Sequence, residues 1–81
     1  MAPLDPNGNA IRSASDVGAL IRKQRRAQGL RQAEAAALCG VGTRFLSELE
    51  NGKEGASLGK ALRVLRGLGV EVLLRARGGP P

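Results

Sequence analysis

The side chains of this chain that could act on another molecule are its cations and its short polar groups. There is no histidine, Cys39 is the lone cysteine, and no serine sits with a plausible base. Covalent and acid–base catalysis need a nucleophile within reach of a base, and phosphate cradling for transfer needs a glycine-rich loop between strand and helix. Neither pattern occurs, and a metal site lacks paired ligands. The chemistry that remains is binding: no enzyme, no metal and no other cofactor is expected. Thirteen Lys and Arg against seven Asp and Glu give a net charge of +6 and a pI near 11.1. That balance favours polyanions, whether DNA, RNA or an anionic membrane surface. Phe45 is the only aromatic residue, whereas readers of single strands stack bases on several flat side chains. Duplex DNA is the preferred polyanion.

No apolar run approaches the roughly 20 residues that span a bilayer. The segment up to Leu20 lacks the charged start and apolar stretch of a signal peptide. A cytoplasmic, nucleoid-associated protein with no membrane partner is expected.

Binding side chains need elements to hold them, and 81 residues make one small domain of four or five short helices. A single core of this size supplies only a few kcal/mol, and one cysteine excludes an intramolecular disulfide, so oligomerisation is the expected reinforcement. Residues 1–12 are rich in turn formers and read as a flexible arm whose only base is Arg12. Ser13 or Ser15 caps a first helix, with Asp16 completing a capping box from Ser13. Val17, Leu20 and Ile21 share its inner face, Arg22, Lys23, Arg25 and Arg26 cover most of the rest, and Gly29 stops it. Gln32 to Cys39 is a short alanine-rich helix closed by Gly40. After Val41 and Gly42, a further helix runs from Thr43 to Asn51 with Leu46 and Leu49 inward, and Gly52 as the stop. Two short helices joined by a glycine-containing turn form a helix-turn-helix unit.

Ser57 caps a last helix whose stripe of Leu58, Ala61, Leu62, Leu65 and Leu68 is read as core and dimer contact, with a membrane-surface helix discounted. Gly67 and Gly69 end the domain over residues 13–69. Val70, Val72 and Leu74 then alternate with Glu71, Leu73 and Arg75, the pattern of a strand over residues 70–77; residues 78–81 read as a disordered tail. One strand alone leaves its backbone groups unpaired. Its expected partner is the same strand of a second copy, in an antiparallel ribbon across a two-fold axis. The fold class is thus all-α, with one short C-terminal strand pairing across a homodimer.

The run from Gly29 to Lys53, with Gly29-Leu30, Gln32, Gly40-Val41 and Glu50-Asn51-Gly52 at matching spacing, resembles the lambda-repressor-like (Xre-type) helix-turn-helix family over residues 15–68. Within it, Phe45 to Lys53, Leu58-Gly-Lys-Ala-Leu62 and the terminal strand look like the HipB-type antitoxins. That resemblance implies a dimer that joins C-terminal strands, represses its own operon and binds a HipA-type kinase toxin. It also implies that the second motif helix lies in the major groove of operator DNA. Mapped here, the base contacts are Thr43, Arg44 and Ser47, with Gly42 and Glu48 beside them. Arg44 is the specificity candidate, since a guanidinium pairs bidentately with guanine.

By the same resemblance, Gln32 at the start of the first motif helix holds a phosphate, and Asn51 and Lys53 form a second clamp. Arg25 and Glu50 match a mostly buried ion pair. Cys39 reads as a buried filler rather than a reactive thiol. Phe45 stands where relatives carry a small polar residue, and two readings stay open: a thymine-methyl contact or part of a toxin-facing surface.

The chain departs from the family at three places. Arg31 replaces a capping residue, so the helix frays there or Arg31 contacts phosphate. Gly42 replaces Ser or Thr, and Gly55-Ala56 replaces a proline. The rival functions are a stand-alone phage or plasmid repressor without a toxin and a basic protein-interaction module. For the toxin, holding the kinase inactive is favoured over plugging its active site, since the chain ends show no pseudosubstrate.

Overall fold

The computed structural model describes residues 11–78. Most of the arm, residues 1–10, and the tail residues 79–81 lie outside the described residues. Four helices form: α1 (Ala14–Ala27), α2 (Gln32–Cys39), α3 (Thr43–Glu50) and α4 (Leu58–Gly67).

The N-terminal half of α1 is set by two short side chains. Ser13 is the cap, its Oγ accepting from the Asp16 N–H at 3.2 Å. The Asp16 carboxylate reaches back to the Arg12 N–H at 2.9 Å, one residue earlier than a capping box would place it. Along α1, Gly18, Ile21 and Arg25 are buried, a spacing that puts all three on one face. At Gly18 α1 lies close against α3: a Cβ there would strike the carbonyl oxygens of Leu49 and Glu50.

α2 is short and built on small residues, so it can lie close to both α3 and α4. Ala35, Ala36 and Cys39 are its buried positions. Cys39 fills the space left by Gly67 of α4, where a Cβ would stand 2.5 Å from its Sγ. Burial pushes the Cys39 thiol above its ordinary pKa, which suits a filler and not a nucleophile. The turn from Gly40 to Gly42 is pinned from α4, because the Arg63 guanidinium donates to the Gly40 carbonyl at 3.2 Å. α3 ends in a Schellman motif: the N–H groups of Gly52 and Lys53 bond the carbonyls of Leu49 and Glu48 at 3.0 and 3.1 Å. Gly52 is left-handed there, at φ 82.

Around these joints lies one core, in which Ile21, Leu46, Val64 and Leu68 are the largest fully buried side chains. The apolar stripe expected along α4 splits in two. Ala61, Leu65 and Leu68 are buried, and Val64 joins them, but Leu58 is 72% exposed and Leu62 sits at the surface. The buried line follows the helical period through residues 61, 64, 65 and 68, leaving Leu58 in the first turn and Leu62 on the flank.

Among the described residues there is no β-strand. Residues 70–76, read above as most of a strand, carry no regular element, and a turn follows at 77–78. A strand is defined by its ladder, and a single copy offers this segment no partner.

Candidate nucleic-acid interface

At 100° per residue, burying Leu46, Leu49 and Glu50 turns positions 44, 47 and 48 of α3, and its C-cap Asn51, away from the core. Thr43, Arg44 and Asn51 are exposed, and Ser47 and Glu48 half-buried. The five expected base-contact residues, Gly42 to Arg44 with Ser47 and Glu48, are therefore brought together at the free end and outer face of one helix. Gly42 is the N-cap and offers no side chain to the first turn. The N-terminus of α3 is unobstructed by a cap.

Charge on that face is arranged around Glu48. The Arg44 side chain is 89% exposed, with its Nε 3.6 Å from the Glu48 carboxylate, while Lys53 Nζ lies 3.3 Å from the other oxygen. Exposed pairs of this kind are worth about 0–1 kcal/mol, so both cations can leave Glu48 for a better acceptor. Phe45 lies off this stripe. Its half-buried ring packs on the core, and Lys60 Nζ stands 5.6 Å from its centroid, which turns the ring toward α4.

Behind the outer face, Glu50 organises the helix ends. Its side chain is fully buried and takes a two-point bond from Arg25: Nε to one oxygen at 2.6 Å and Nη2 to the other at 3.0 Å. Gln32 Nε2 adds a bond at 3.2 Å and Arg22 Nε one at 3.4 Å. Burial alone would raise the Glu50 pKa. The Arg25 and Gln32 hydrogen bonds, the Arg25 charge and the Arg22 bond outweigh it, and the carboxyl is held below its ordinary range. Arg25 is raised in turn, chiefly by its bond to Glu50. The remaining Arg25 nitrogen, Nη1, donates to the Leu30 carbonyl at 2.8 Å. Glu50 thus ties the first helix, the start of α2 and the end of α3 into one unit.

The expected phosphate contacts fall in two places. Gln32 and Arg31 stand at the start of α2, but the Gln32 amide is directed at Glu50, so what faces outward is Arg31, 88% exposed. The Arg31 side chain makes no cap on α2, as its type implies, but the Glu34 carboxylate accepts the Arg31 N–H at 2.8 Å, half of a capping box. Asn51 and Lys53 flank the end of α3, both exposed. Sequence reasoning missed Arg22, which it assigned to the solvated face of α1. Its Nη2 donates to Asn51 Oδ1 at 3.2 Å, joining it to the second clamp. Its spacing of three from Arg25 was the available signal.

Among the described residues no group of three His, Cys, Asp or Glu gathers to hold a metal, and no helix is long and apolar enough to cross a membrane.

Comparison with known proteins agrees with this fold. The model of the helix-turn-helix family matches residues 21–74. An uncharacterised HTH-type transcriptional regulator, y4mF, of Sinorhizobium fredii (strain NBRC 101917 / NGR234) is 47% identical over 68 residues, covering 84% of this chain and 90% of the relative. Three solved structures share the fold at a TM-score of 0.76. They are HipB with an O4 20mer (22% identity, 85% of this chain and 97% of that one), a singly substituted HipB with an O2 20mer (23%, 85% and 96%), and a HipA–HipB–O2–O3 complex (22%, 85% and 97%). With its turn, its outward α3 face and its match over most of its length, the chain belongs to the Xre-type helix-turn-helix family of transcriptional regulators.

Proposed function

We propose that this chain is a homodimeric repressor that reads its own operator as duplex DNA and serves as the antitoxin of a HipA-type kinase. The observation that carries the DNA reading is the outer face of α3, where Thr43, Arg44, Ser47 and Glu48 stand together on a helix whose other side is locked by Leu46, Leu49 and Glu50. A rigid helix presenting a long guanidinium and short hydroxyls suits base edges in a major groove. Arg44 pairs with a guanine, Thr43 and Ser47 make shorter contacts, and Arg31, Asn51 and Lys53 hold phosphates on either side. In a dimer the two α3 helices enter half-sites about one helical turn, ~34 Å, apart.

The antitoxin and self-repression parts rest on the shared fold with HipB, which has been solved with an O4 20mer and in a HipA–HipB–O2–O3 complex. The chain itself does the binding and carries out no catalysis in this reading.

The test is a titration of duplex from the region upstream of its gene at two salt concentrations, with wild type and Arg44→Ala. Wild type should bind selectively and lose about 10³–10⁵ in affinity between 50 and 200 mM salt if 6–10 phosphates are neutralised. Arg44→Ala should lose about 1–3 kcal/mol of discrimination at one base while weak, sequence-indifferent binding persists. Equal binding to all sequences by the wild type would overturn the repressor reading. The toxin part is tested by co-expression with a kinase encoded beside this gene: a stable complex supports it, and the lack of such a gene leaves a stand-alone repressor.

A further inference from the structure

Arg22, Lys23 and Arg26 recur along one face of α1 and, with Asn51 from the end of α3, line a shallow open cleft. Ser15 and Ala19 are the other α1 residues of that face, and their small side chains leave its floor low. Arg22 and Arg26 are four apart on a helix, a like-charge spacing that disfavours the helix by a few tenths of a kcal/mol when no anion is present. Among the described residues the only acid lining the cleft is Glu50, and its charge is already matched by the two-point bond from Arg25. The cleft is thus a concave cationic surface whose one acid is already committed elsewhere.

We propose that this α1 face is a further binding site for the sugar–phosphate backbone, taking a phosphate beyond those held by the helix-turn-helix unit. It rests on the DNA-binding reading above. The cleft is continuous with the end of the recognition helix through the bond from Arg22 to Asn51 at 3.2 Å. A duplex lying on the outer face of α3 therefore has its backbone within reach of the guanidiniums of Arg22 and Arg26. Guanidinium groups match phosphate oxygens two at a time, and a regular polyanion suits a row of cations one helical turn apart better than a single carboxylate does. Arg22 serves twice: its Nε keeps Glu50 company and its Nη2 side faces the cleft. Arg26 also lies in the last turn of α1, where a cation complements the helix dipole; a role confined to that would move stability and not DNA binding.

The experiment uses the full chain and a duplex selected from a random-sequence library by the wild-type protein. The dependence of binding on salt is measured for wild type, Arg26→Gln, Arg22→Gln and Arg66→Gln, the last a charge-matched change on α4 outside the cleft. Arg26→Gln should weaken binding to all sequences alike and lower the slope of log K against log salt by about 1 per subunit, while Arg66→Gln leaves the slope unchanged. Ethylation interference should show one phosphate per half-site whose modification harms the wild type and no longer matters to Arg26→Gln. Unchanged slopes for both Arg26→Gln and Arg22→Gln, with selective binding intact, would overturn the inference alone. So would a parallel titration with poly-glutamate in which Arg26→Gln and Arg22→Gln lose binding to it while keeping DNA binding, which would assign the cleft to an acidic protein. No duplex binding by the wild type would overturn the DNA reading and this site with it.

Discussion

Glu50 is the residue on which most of the geometry depends. It is a carboxylate with a fully buried side chain that survives burial because four nitrogens from Arg22, Arg25 and Gln32 are aimed at its two oxygens. Truncating it leaves Arg25 charged and stranded in the core, and loss of one partner of a buried pair costs about 3–5 kcal/mol. A thermal melt of Glu50→Ala should show that loss, and a melt close to wild type would contradict the pairing. The pH dependence has a definite sign. The Glu50 carboxyl is held below its ordinary value in the folded state, so its contribution is complete above the unfolded-state pKa, about 4.3. It fades as the pH falls below that, through the lower folded pKa. The melting temperature of wild type should therefore fall more steeply below about pH 4.3 than that of Glu50→Gln, which has no carboxyl there to protonate. Parallel curves would show that the ion pair contributes nothing to acid sensitivity.

At the scale of elements, α3 is placed by a contact that polarity patterns do not reveal. Gly18 lets α1 lie against the last carbonyls of the recognition helix; a Cβ there would meet the Glu50 oxygen at 2.8 Å and the Leu49 oxygen closer still. Backbone cannot yield as a side-chain tip can. Gly18→Ala should cost about 1–3 kcal/mol, the usual penalty of overpacking, and by displacing α3 should weaken selective DNA binding in molecules that remain folded. A variant as stable as wild type would mean that α1 shifts freely, and the close approach does not fix α3. The helices themselves were legible because their signals are local: Ser13 and Ser57 cap as their types suggest, and Gly29, Gly40 and Gly52 stop helices where left-handed backbone is needed. The outward side of α3 was legible for the same reason, since burying Leu46 and Leu49 fixes which of its residues look out. What was not legible depends on pairs distant in the chain. The turn of Gln32 toward Glu50 is one case, the bond from Arg22 to Asn51 another, and the ring of Phe45 against α4 a third.

For the whole molecule the open matter is what covers its remaining apolar surface. Val72, Leu73 and Leu74 are 45%, 63% and 93% exposed, and Leu58 and Leu38 are also largely uncovered. A core resting on so few large side chains has little stability to spare, and leaving five such residues in water adds nothing to it. The proposed dimer would bear on both: pairing of the 70–77 segments would give each the ladder it lacks and cover Val72 to Leu74. The boundary matters for the test. Val70 closes the cap of α4, since its N–H bonds the Leu65 carbonyl at 2.8 Å and the Gly69 N–H bonds that of Arg66 at 3.0 Å, a Schellman motif that a cut before Val70 would break. The informative truncation therefore removes residues 71–81 and keeps that cap. It should sediment as a monomer with α-helical content unchanged, and the full chain should sediment as a dimer. Because each monomer offers one half-site contact, its affinity for duplex should also fall while the base preference set by Arg44 stays the same. A truncated chain that still sediments as a dimer would move the interface off the tail, and the exposed Leu58 and Leu62 of α4 would be the next residues to change.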